Sequence, residues 1–348
     1  MTEWIFLISL SSILALLYWW GFSNLPDERW QIMASVPRMK TGEHWSGVNL
    51  TWYGFFLASA NAFAVSILII LLGAIAVPLA TTILVTLIVL TVCLAGAKLI
   101  ARMVEGKRHT FTVGGATFLG MLICPWILLI ARRWGGPWFA FDAPVMGFMA
   151  AVSISYAFGE GAGRLACISF GCCYGRPVSD IHPFFRRIFE RVSFTFSGRT
   201  KKIAYAHGLE GTKVVPVQGI TAVLYGVSGI FGVFLFLNGY YGAAFLETIL
   251  VTQLWRVMSE FLRADYRGKN KISAYQVMAV LTVLSGIIVR LAFGVPAYSP
   301  LIGDGLLSLW NPFIIFFIQG LWIAVFLYTG RSSVTGSTVS FHVIRERI

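Results

Sequence analysis

In the stretch Thr252-Gln253-Leu254-Trp255-Arg256-Val257-Met258-Ser259-Glu260-Phe261-Leu262-Arg263, the polar positions 253, 256, 260 and 263 recur at three, four and three residues. That spacing is one stripe of an α-helix. The neighbouring residues are apolar, and an ionisable side chain inside a bilayer costs about 3 kcal/mol or more unless it is paired or wet, which makes the stripe a functional candidate. Two chemistries fit it. Arg256 and Glu260, at i and i+4, can form a structural ion pair that holds a helix bundle together. The same residues can instead form an anion site. A planar guanidinium offers phosphate two parallel hydrogen bonds and keeps its charge in a low dielectric, and Glu260 would then orient Arg256.

A second cluster closes another apolar run: Gly159-Glu160-Gly161-Ala162-Gly163-Arg164-Leu165-Ala166-Cys167-Ile168-Ser169-Phe170-Gly171-Cys172-Cys173-Tyr174-Gly175-Arg176. Its small residues let another helix or a lipid headgroup approach the backbone closely. Packing is the simpler reading of the glycines alone, and Arg164 at the membrane edge tilts it toward an anion. Zinc needs three or four ligands, and the three thiols have no convincing partner histidine, so neither a metal nor a cofactor is assigned. Trp52-Tyr53-Gly54 opens a further run, where a ring anchors at the interface or the phenol bonds a buried headgroup. Gly114-Gly115-Ala116-Thr117-Phe118 opens another and permits close backbone approach.

The elements that must carry these residues follow from composition. The 348 residues are 57% apolar and only 12% charged, with a mean hydropathy of +0.77, which excludes a soluble globular enzyme. Apolar windows near 4–22, 51–72, 77–98, 112–131, 138–158, 217–238, 242–262, 273–294 and 312–329 predict an all-α, polytopic membrane protein of about nine transmembrane helices. The runs lack the period-2 alternation of a β-barrel. Trp52, Trp134, Trp138 and Trp19-Trp20 fall at span ends as interfacial anchors. The polar insert 175–216 predicts a small extramembrane head. Residues 1–48 are expected to form an extra N-terminal helix and loop, 49–294 a membrane core, and 295–348 an extra C-terminal helix and basic tail.

The chain carries 27 Lys and Arg against 15 Asp and Glu, a net charge of +12. Because the basic residues lie between apolar spans, anionic lipid headgroups rather than nucleic acid are the expected counter-charge. Alternate loops hold 23 basic residues on one side and only Arg132 and Arg133 on the other. The positive-inside rule then places the N-terminus outside and the C-terminus in the cytoplasm. The five cysteines are an odd number and do not indicate a disulfide framework.

Taken together and in order, these motifs resemble the prolipoprotein diacylglyceryl transferase family of bacterial inner-membrane enzymes, which move diacylglyceryl from phosphatidylglycerol to a lipoprotein cysteine. Trp52-Tyr53-Gly54 is similar to the family's first-helix motif and Gly114-Gly115-Ala116-Thr117-Phe118 to its Gly-Gly loop. Gly163-Arg164 through Gly171 to Gly175-Arg176 follows the signature spacing. Pro216-Val217-Gln218 resembles the opening of the next family helix, and Arg256, Glu260 and Arg263 resemble the late arginine helix. The resemblance implies Arg164, Arg256 and Glu260 as catalytic residues. It implies Tyr53, Gly114, Gly115, Gly163, Gly171, Gly175, Arg176, Gln218 and Arg263 as substrate-binding. It also implies a phospholipid donor and a lipoprotein or other nucleophilic acceptor.

The departures define a divergent member. The family's histidine after the Gly-Gly loop is Leu119 here, its signature asparagines are Cys167 and Phe170, and its glutamate is Cys172. Thr252 and Val215 replace a tyrosine and a histidine. Glu160, His207 or a thiol remain as alternatives for the base. The family signature faces the periplasm, opposite to the side the charge count assigns. A non-catalytic phospholipid-binding or lipid-translocating protein on the same fold is the alternative function.

Overall fold

A computed structural model describes residues 1–105, 113–134, 145–264, 272–294 and 299–348. The chain enters through α1 (Thr2–Asn24), turns into an antiparallel pair β1 (Ile32–Thr41) and β2 (His44–Thr51), and crosses through α2 (Trp52–Ala74), α3 (Leu79–Glu105), α4 (Val113–Trp134) and α5 (Val145–Phe170). A head follows, built from α6 (Pro183–Arg191), β3 (Phe194–Thr195), α7 (Lys202–His207) and β4 (Lys213–Val214). The chain returns through α8 (Val217–Leu237), α9 (Tyr241–Leu262), α10 (Ala274–Ala292), a short α11 (Ile302–Leu309), α12 (Pro312–Thr329) and a last strand, β5 (Arg331–Val339).

Eight of these helices are long and apolar enough to cross a bilayer. The ninth long helix, α9, coincides with the charged stripe and carries Glu247, Arg256 and Glu260. The predicted all-α polytopic class therefore holds. Span five is described from Val145 only. The predicted 138–144, with Trp138, lie outside the described residues, as does the side chain of Trp134.

Helix α5 is the buried centre of the bundle, surrounded by α2, α8 and α9. Its small residues allow this. A Cβ on Gly159 would sit 2.8 Å from Ala64 Cβ on α2, one on Gly163 would meet Ala60 Cβ at an ordinary 3.9 Å, and the Cβ positions of Gly229 and Gly232 on α8 meet Phe158 and Ile154 at 2.8 Å. Helices α3 and α4 pair with each other, and α4 leans on α10 while touching α5 only lightly.

The extramembrane part differs from expectation. Residues 32–51 and the C-terminal tail form one three-stranded antiparallel sheet, ordered β1-β2-β5, in which Val48 pairs with both Val36 and Gly336. Pro37 stands on β1, an edge strand, where its missing N–H leaves no ladder bond unmade. The C-terminal segment is locked to α2 at two points, just after α12 and on α11. A Cβ on Gly54 would lie 2.2 Å from Gly330 Cα, and one on Gly305 would lie 2.1 Å from Ile70 O. Trp52 and Trp20 are not free interfacial anchors. Both pack on Trp30, each at 4.9 Å between centroids, Trp20 edge-on and Trp52 tilted, whereas Trp19 is 72% exposed.

The head is fastened by Lys201, whose side chain is fully buried. Its Nζ donates to Ser169 O at 2.8 Å, near the end of α5, and to Leu25 O at 3.0 Å, just past α1. Gly171, at φ +69°, makes the turn that brings the chain under this side chain. Burial lowers the Lys201 ammonium from 10.5 to about 8. Between those values the unfolded chain holds a proton that the folded chain has released, so stability rises with pH across this window. In detergent, the thermal midpoint should rise from pH 8 to 10.5 relative to that of Lys201→Met. The variant should itself be less stable by about 1–3 kcal/mol, because two buried carbonyls lose their donor.

Candidate functional site

The site forms where α5 and α9 face each other about two turns inside the head end of the bundle. On α5, Tyr156, Glu160 and Arg164 follow one another at intervals of four and share a face. Arg256 reaches across from α9. Its Nη2 donates to Glu160 Oε1 at 2.6 Å and Oε2 at 2.5 Å, and to the Tyr156 hydroxyl at 3.0 Å. Arg164 Nη2 also donates to Glu160 Oε1, and the Tyr156 hydroxyl donates to Oε2. One carboxylate thus joins two guanidiniums. Its side chain is 4% exposed and theirs are 12% exposed.

This geometry revises the pairing expected from sequence. Arg256 does not pair with Glu260 along its own helix. Its carboxylate partner is Glu160 on the neighbouring helix, and Glu260 is left half-buried on α9 without a bond to Arg256. The tertiary pair offers a buried carboxylate between two donors, against a marginal i,i+4 pair on one helix. Tyr156 is a further site residue, beyond those expected from the motifs. Its signal was the spacing of four through 156, 160 and 164.

Further residues converge on the cluster. Gln253 Nε2 lies 3.4 Å from the Tyr156 hydroxyl, and Thr117, from the Gly-Gly segment of α4, hydrogen-bonds the same group. The segment is thereby part of the site, with Gly114 and Gly115 buried in the first turn of α4. Tyr225 donates to Thr252 O at 2.7 Å, and Trp255 Nε1 to Thr221 Oγ1 at 2.8 Å, fixing α9 against α8. Leu119 points elsewhere. It packs against α3, where a Cβ on Gly96 would fall 2.1 Å from Leu119 Cδ1.

Tyr53, at the head end of α2, packs its ring on Phe170 at 5.6 Å. It lies close enough to Arg164 and to the thiols of Cys167, Cys172 and Cys173 for their charges to act on it. Gln218 is buried, and its Nε2 donates to Cys172 O at 2.8 Å. The remaining signature residues build the loop itself. A Cβ on Gly175 would lie 2.4 Å from Val215 O, so this glycine is a packing position. Gly175 and Arg263 form a β-bridge, Arg176 N donates to Leu262 O at 2.9 Å, and Ala264 N to Tyr174 O at 3.1 Å. These bonds tie the end of α9 to the loop after α5. The side chain of Arg176 is exposed, outside the buried cluster. His207, on the exposed face of the head, is hydrogen-bonded through Nδ1 to the Tyr174 hydroxyl.

The cluster holds two positive charges against one negative. Arg164 Nε and Arg256 Nε are both buried with no hydrogen-bond partner. A buried donor without a partner costs about 1–3 kcal/mol, more when charged, so the arrangement is suited to an anion with several acceptor oxygens.

No curated protein matches the chain. The model of the prolipoprotein diacylglyceryl transferase family matches residues 43–292, a stretch that runs from β2 to the end of α10 and contains the whole Arg164–Glu160–Arg256 cluster, and the chain belongs to that family.

Proposed function

We propose that this membrane transferase moves a diacylglyceryl group from phosphatidylglycerol, or a similar anionic phospholipid, to an acceptor thiol, with Arg164 and Arg256 receiving the phosphate. The observation that carries this reading is the unbalanced charge of the cluster, together with its two unpartnered buried Nε donors. In the displacement, the bond between the glycerol carbon and the phosphate oxygen breaks, and negative charge gathers on departing glycerol phosphate. Guanidiniums already fixed by Glu160 stabilise that charge without reorganising, which is the preorganised electrostatic effect. Glu160 is the counter-charge and positioning residue in this scheme, a role the sequence motif suggested for Glu260. Tyr53 and Gln218 line the loop beside Arg164. A lipoprotein cysteine is the acceptor the family implies.

The site, the head, the sheet and the C-terminus share one side of the bundle, since each span reverses direction. Charge distribution favours the cytoplasm for that side, and transfer to a secreted lipoprotein requires the opposite. A C-terminal reporter active only outside the cytoplasm should report an external C-terminus if the acceptor is a lipoprotein; a cytoplasmic result removes that acceptor and demands a thiol on the inner face.

A second reading is a phospholipid-binding protein that lacks the chemistry, favoured by Leu119, which packs on α3 away from the arginines. Release of labelled glycerol phosphate from phosphatidylglycerol separates the two. Arg164→Ala should lower that release by about 100-fold or more while the protein stays folded in membranes. Arg256→Lys should also be impaired, because a point charge cannot bridge both Glu160 oxygens and a phosphate; near-normal turnover in either variant would refute the assignment. Glu160→Gln should destabilise the chain by about 3–5 kcal/mol, as two buried guanidiniums lose their counter-charge, visible as a lowered thermal midpoint in detergent.

A further inference from the structure

Three thiols stand beside the arginine cluster, and the transfer described above does not use them. Cys167 lies on the last turn of α5, and Cys172 and Cys173 lie in the loop that follows. Their Sγ atoms all fall within 4.8 Å of one another. A zinc ion with Zn–S bonds of about 2.3 Å holds tetrahedral sulfurs about 3.8 Å apart, so a small inward movement closes this triangle around one ion.

The backbone supplies a second observation. Cys173 has φ +58°, in the left-handed region that a cysteine seldom adopts and that persists where the surroundings impose it. Adjacent side chains of an extended chain point to opposite faces. At this turn both Cys172 and Cys173 reach Cys167 instead. The loop is held from outside by Gln218, whose Nε2 fixes Cys172 O, while Gln218 Oε1 is buried without a partner. Such support behind the ligands is typical of metal sites.

The sequence offers no partner histidine as a fourth ligand. Three protein ligands with one open position are the arrangement of catalytic rather than structural zinc. Cys167 and Cys173 are partly exposed, which leaves a path to that position from one side. Three thiolates on Zn2+ carry one net negative charge, and Arg164 lies close enough to Cys167 and Cys173 to offset it.

We propose that Cys167, Cys172 and Cys173 bind one Zn2+ ion and leave its fourth position to the acceptor thiol. The inference rests on the transferase reading. Coordination removes the thiol proton to solvent, and the thiolate is the nucleophile. The acceptor sulfur then forms a bond to the glycerol carbon as that carbon's bond to the phosphate oxygen breaks. Glycerol phosphate leaves on the arginines, and zinc keeps its oxidation state throughout. The ion would thereby serve in place of a side-chain base at Leu119.

The test reads metal binding separately from turnover. Purified, reduced, full-length protein in detergent is titrated with Zn2+, and with Co2+ as a spectroscopic substitute. About one ion per chain is expected, with the intense thiolate-to-cobalt absorption and visible bands of a tetrahedral site. A thiol-bearing acceptor peptide should shift those bands, and its serine counterpart should not. Cys172→Ser and Cys173→Ala should each abolish the spectrum while eluting as monodisperse protein, and Cys93→Ala should retain it. Stripping the metal should stop thiol transfer, and Zn2+ should restore it. The proposal is overturned if the wild-type chain binds no ion tightly, if binding survives both loop variants, or if the cobalt bands ignore the thiol. Arg256→Lys, on the phosphate side and away from the thiols, should keep the cobalt spectrum; if it does so but wild-type protein releases no glycerol phosphate, the transferase reading fails while the metal site stands.

Discussion

A carboxylate held between guanidiniums from two helices is the contact around which the bundle is arranged. Arg164 and Arg256 offset the cost of burying Glu160 at the centre of α5, and Glu160 offsets the cost of burying them. The trio fixes the rotation of α5 and α9 about their own axes, since turning either helix would separate the charges in a medium unable to solvate them. It also explains why α5 is lined with glycine and alanine. Close approach of α2 and α8 excludes water and keeps the ion cluster in a low dielectric, where an anion would be held most strongly.

The head and its connections serve the same end. Lys201 ties the end of α5 to the end of α1, and the bridge between Gly175 and Arg263 ties the signature loop to the end of α9. The helices that carry Arg164 and Arg256 are therefore clamped just beyond the residues that meet. The C-terminal span belongs to this frame as well. Its last residue contact, Gly330 against Gly54, lies beside Tyr53, and β5 continues from it into the sheet.

Much of the helical framework was legible in the sequence, because continuous apolar runs have one viable fate in a bilayer. Even the charged α9 was readable, from polar residues confined to one stripe. The sheet was not legible. β2 pairs with a strand nearly the whole chain away, and neither segment announces its partner. The Glu160–Arg256 pair was missed because i,i+4 spacing drew Arg256 toward Glu260, while the decisive contact lies between helices. The meeting of the three thiols depends on the left-handed turn at Cys173, a feature that residue identity argues against. The arginines themselves were conspicuous, being charges set in apolar surroundings.

The placement of Leu119 bears on how such a site could change over evolution. Thr117 and Leu119 are two residues apart on α4, hence rotated by roughly 200° from each other, one turned toward Tyr156 and the other toward Gly96. An imidazole introduced at 119 would collide with α3 rather than approach the ion cluster. A histidine at that single position could reach the cluster only if α4 swivelled about half a revolution, losing the Thr117 bond as it did so. Which of the two residues faces the ion cluster is thus set by the rotation of the whole helix and not by the residue at 119 alone.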